Sequence, residues 1–98
     1  MGGPKNSSDL TDINNLFRPM NEYVAMLGDI ILLLHKRNFQ AHDIQTIAGG
    51  LGFVGNQAIR RHFTIPEYAD QVVRIAVQQG INAMRITERL VQEGKETK

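Results

Sequence analysis

Between Asn56 and Thr64 the chain places an asparagine, a glutamine, two arginines and a threonine within nine residues: Asn56, Gln57, Arg60, Arg61 and Thr64. On a helix, at about 100° per residue, Gln57, Arg60, Arg61 and Thr64 share one face. Ile59 and Phe63 point the other way, flanked by Ala58 and His62. Such a helix would bury Ile59 and Phe63 and present a polar, cationic face. Those types suit nucleic acid: Arg reads guanine with two hydrogen bonds, Gln reads adenine, and Arg and Thr hold phosphates. Lys36, Arg37 and His42 are candidates for further phosphate contacts.

Charge distribution points the same way. The chain has a formal net charge of +1. From His35 to Phe63, Lys36, Arg37, Arg60 and Arg61 face the single acid Asp43, so this stretch carries +3 and the rest −2. A local cationic stretch is the expected footprint of an anionic partner. Other chemistry finds little to use. There is no Cys, hence no disulfide, thiolate metal site or cysteine nucleophile. His35, His42 and His62 lack close metal-ligand spacing, and the only serines are Ser7 and Ser8. The expectation is a protein that is not an enzyme and takes no cofactor and no metal.

For Gln57, Arg60 and Arg61 to enter a groove, their helix must be held at a steep angle to another. Residues 49–55, Gly-Gly-Leu-Gly-Phe-Val-Gly, contain four glycines in seven positions. That density predicts the end of one helix and a tight turn. Ala48 supplies the small residue where two helices cross, and Gly52, four residues on, the left-handed turn position. A helix over 41–49 and a second over 56–63, capped by Asn56, would then form a helix-turn-helix. The pattern Ile44-x-x-Ile47-Ala48-x-x-Leu51-Gly52-Phe53, followed by Ile59-x-Arg61-x-Phe63 and Pro66-Glu67-Tyr68, resembles the second helix-turn-helix of AraC/XylS-type regulators. The resemblance covers residues 24–68 and implies a DNA-binding transcriptional regulator.

The same glycines satisfy a rival pattern. Gly50-x-Gly52-x-x-Gly55 fits a dinucleotide fingerprint and is similar to the glycine loop of extended short-chain dehydrogenases and epimerases. That reading needs a strand before the loop, another after the following helix, and a longer chain. The helical pattern from Pro66 onward and the length of 98 residues argue against it.

The expected fold class is all-α: a compact bundle of five to six helices around a central apolar helix, with the helix-turn-helix in the middle. Residues 1–8 read as a flexible tail, 9–94 as a single helical domain and 95–98 as a frayed C-terminus. Ser7 or Ser8 can cap a first helix, whose stripe is Leu10, Ile13 and Phe17. The second helix, Met20 to Lys36, is apolar nearly all round and is expected at the centre; Asn38 is its stop. Pro66 opens a fifth helix, Gly80 breaks it, and a sixth runs over 81–92. Homodimerisation is expected through helices 66–92 or helix 20–36. No segment approaches a membrane span and the start lacks the apolar core of a signal peptide, so a cytoplasmic location is expected. The alternative to DNA binding is a helical module that binds another protein, as inhibitor or adaptor.

Overall fold

The computed structural model describes residues 13–97. The expected tail over 1–8, its serine caps and the start of the first helix lie outside the described residues. Four helices follow one another: the end of α1 (13–15), α2 (Met20–Lys36), α3 (Ala41–His62) and α4 (Pro66–Thr97). No strand occurs among the described residues.

Local chemistry explains the ends. Pro19, at φ −56° and ψ 144°, leads into α2, where its missing N–H costs nothing. Arg18 joins Glu22 at 3.0 Å, and its backbone N–H donates to the Tyr23 hydroxyl at 3.0 Å. At the other end Asn38 takes φ 67°. The Phe39 N–H donates to Leu34 O and the Asn38 N–H to His35 O. This is the paired closure that a left-handed residue allows after a helix. α3 begins with the Gln40 N–H bound to the Asp43 carboxylate at 2.9 Å, which occupies an orphan donor. Pro66 opens α4, where a proline is tolerated.

The expected turn at residues 49–55 is absent. α3 is continuous from Ala41 to His62, and no described glycine has positive φ. Asn56 therefore caps nothing; its Oδ1 accepts a bond from the Arg60 Nε at 2.8 Å. Residues 44–48, which a nucleotide-binding reading would make a strand, are helical as well. The physical reason is that glycine permits a left-handed turn without requiring one. In a helix it costs about 1 kcal/mol relative to Ala, which the surrounding helix formers and the capped ends offset. Gly80 is likewise inside a helix, and α4 runs unbroken for 32 residues, about 48 Å. The two C-terminal helices are thus one, and helix persists past Gly94 into the segment expected to fray.

The centre is also not where apolarity alone would put it. α2 and α3 both pack on α4, which is the spine. Its buried face is narrow and small: Ala69, Val72, Ala83 and Thr87, joined by Ile13 and Leu34. α2 crosses at Gly28, where an added Cβ would lie 3.9 Å from the Thr87 Cγ2. The Thr87 hydroxyl donates to Ala83 O at 2.9 Å and reaches Val24 O, on α2, at 3.3 Å. Of α2 only Leu34 is buried, while Met26, Leu32 and Leu33 face solvent. Nor is the bundle compact. Its radius of gyration is 16.5 Å with extents of 57 × 28 × 14 Å, against about 13 Å for a compact chain of this length. The smallest extent leaves room for little more than one layer of helices.

Candidate interaction surface

The polar residues singled out from sequence fall into two groups. Asn56, Gln57, Arg60, Arg61 and Thr64 sit at the C-terminal end of α3 and just after it. Lys36 and Arg37 end α2, and His42 lies in the first turn of α3. Along α3, His42 and Arg60 are about 27 Å apart at 1.5 Å per residue, so His42 does not share a patch with the arginines at the other end of the helix. Gln57, Arg61 and Thr64 are exposed, as expected, and Ile59 and Phe63 are half-buried. His62, which flanks that inward pair, stacks edge-on against Phe63 at 4.7 Å yet is exposed. Phe63 also meets Tyr68 at 5.2 Å, which closes the corner between α3 and α4.

Arg60 is the group whose surroundings matter most. Its Nη1 pairs with the Asp70 carboxylate at 2.7 Å while its Nε is held by Asn56. The strongest candidate for base reading is therefore tied to α4 through Nη1 and to its own helix through Nε. Asp70 was not among the expected site residues. The signal was present: Arg60 ends one helix and Asp70 lies in the first turns of the next, each favourable at that helix end. His42 has an acidic neighbour too, with Nε2 3.3 Å from an Asp43 carboxylate oxygen. Among the described residues no group of three His, Asp or Glu side chains gathers as metal ligands would, and no helix is long and apolar enough to cross a membrane.

What dominates the surface is apolar. Leu51, Phe53 and Val54 on α3 are 62%, 63% and 62% exposed. Met26, Leu32 and Leu33 on α2, and Val77, Ile81, Leu90 and Val91 on α4, are also open to solvent. The glycines deepen this. Gly49, Gly50, Gly52 and Gly55 could each accept a Cβ with nothing within 4 Å. The fold of a single chain therefore has no packing need for glycine there, although together they lower helix stability by about 4 kcal/mol relative to Ala. Every residue from 48 to 55 is exposed. Gly52, Gly55, Asn56 and Ile59 face Val73, Ala76 and Val77 across an open groove of about 220 Å³. A second, larger groove between α2 and α4 is lined by Ile31, His35, Met84, Arg85, Glu88 and Val91. Two turns of glycine-rich helix, exposed along their length and facing α4 only across an open groove, make a surface suited to receiving another helix. Comparison of the chain with family models, with curated proteins and with solved structures finds no match.

Proposed function

We propose that this chain is a helical protein–protein interaction module. One observation carries the reading: the described residues leave thirteen large hydrophobic side chains exposed and bury only five apolar residues, two of them the small alanines Ala69 and Ala83. Single exposed hydrophobics are ordinary, but contiguous apolar surface on a small chain marks an interaction site. The thin, extended shape agrees, since a chain this short that does not close its own core gains stability by sharing one. The expected homodimerisation through 20–36 or 66–92 belongs to the same reading, because both segments present exposed apolar side chains.

DNA binding, the leading expectation from sequence, is the weaker proposal. It would have to proceed without the angled recognition helix and with Arg60 already paired. Gel retardation at low salt together with binding of a hydrophobic dye separates the two. A module of this kind shows no retention of duplex DNA and binds the dye while folded. Retention that falls with salt and is lost in Arg60→Gln with Arg61→Gln would overturn the proposal in favour of DNA.

A further inference from the structure

We infer that α3 is a self-pairing surface: it receives the α3 of a second copy, antiparallel, about a twofold axis near Gly52 and Phe53. This rests on the interaction-module reading and names the partner. Ile44, Ile47, Leu51, Val54 and Ala58 recur at spacings of 3, 4, 3 and 4, the repeat that keeps one stripe facing a neighbouring helix. On the helix the stripe lies about 115° round from the residues that face α4. Its two central members, Leu51 and Val54, are exposed, and no element among the described residues covers them.

The occupant follows from the pattern of the stripe under a twofold. A C2 interface must be complementary to itself. Laid antiparallel, Leu51 meets Val54 of the second copy, Ile47 meets Ala58, and Ile44 meets the aliphatic part of Arg61. That register sets Asp43, in the first turn, beside Arg61 and His62 in the last turn of the other copy, at both ends of the pair. A parallel arrangement would oppose Asp43 to Asp43 and Arg61 to Arg61. The positions flanking the stripe are Ala48, Gly50, Gly55 and Gln57, and the empty Cβ positions at both glycines let the second backbone come close. Two 22-residue helices paired over their length, about 33 Å, cover roughly 1,000 Å² in total, the low end for a specific interface. The pair is therefore expected to be concentration-dependent, with a dissociation constant on the order of micromolar.

The chain lacks cysteine, so single-cysteine variants report cleanly. Leu51, Phe53 and Val54 are equally exposed, which matches their intrinsic reactivity. Under mild oxidation by oxidised glutathione, an equal mixture of Leu51→Cys and Val54→Cys is expected to give chiefly the mixed disulfide. Phe53→Cys, on the opposite face, is expected to cross-link about tenfold less. Sedimentation should show a reversible dimer for the wild type, weakened at least about tenfold in Arg61→Glu, which keeps the cap of α3 intact. A dimer that cross-links equally well through Phe53→Cys, or that prefers Leu51 to Leu51, overturns the antiparallel α3 pairing but leaves the module reading standing. A wild type that stays monomeric well above micromolar concentration also overturns it. Salt-dependent DNA retention would instead remove the module reading itself.

Discussion

Replacing Gly52 by alanine distinguishes a continuous α3 from a helix-turn-helix by the sign of one number. In the structure Gly52 lies inside a helix, has no positive φ, and leaves nothing within 4 Å of an added Cβ. Alanine there keeps the helical backbone, fills open space and restricts the unfolded chain. The expected result is a gain of about 0.5–1 kcal/mol. For a domain near 100 residues this raises Tm by about 2–8 °C. Were Gly52 the left-handed residue of a turn, the Cβ would meet its own backbone and the change would cost about 1 kcal/mol or more. Gly52 faces the α4 groove rather than the exposed stripe, so self-association does not confound the comparison. Urea unfolding followed by far-ultraviolet circular dichroism reads the difference as a shift in midpoint at constant slope. Gly49→Ala, with equally empty surroundings, should add a similar gain. A lower midpoint for Gly52→Ala would refute the continuous helix.

Three further substitutions test how the helices are ended and held. Asn38 sits at φ 67°; Asn38→Ala should cost about 1 kcal/mol, and Asn38→Gly should be neutral or slightly stabilising, both by thermal unfolding. Thr87→Val keeps the shape but removes the hydroxyl that reaches Ala83 O and Val24 O. It should destabilise by about 1 kcal/mol, with an unchanged denaturant slope. Ala83, fully buried on the spine, should not accept leucine: Ala83→Leu is expected to cost about 1–3 kcal/mol by overpacking and to loosen α2, seen as faster amide exchange at Val24 and Gly28.

What could be read from the sequence was set by local chemistry. Asn38 stops α2 and Pro66 starts α4, because each acts on backbone groups within a few residues. The inward pair Ile59 and Phe63 was visible from the 3.6-residue period. The glycines were misread because a glycine's effect depends on whether the surrounding helix is continued on both sides, and density alone does not decide that. The position of α2 was misread for a different reason. Its all-round apolarity implies burial by neighbours, yet Leu32 and Leu33 are exposed among the described residues. The rule that apolar faces are buried holds for the assembly in which a helix works, which can be larger than one chain. The Arg60–Asp70 tie needed the corner at Phe63 and Tyr68 to be placed first. With both side chains about half exposed, it contributes only about 0–1 kcal/mol, but it decides where the guanidinium points.

Residues 48–55 form helix on an exposed surface, and the proposed second chain would cover it. Residue-resolved hydrogen exchange measured at two protein concentrations about a hundredfold apart tests it most directly, since mass action protects only what association buries. Protection is expected to run unbroken from Ile47 through Ile59, Gly52 included, with exchange at residues 48–55 slowing as concentration rises. An unprotected island at 49–55 that is indifferent to concentration would contradict it.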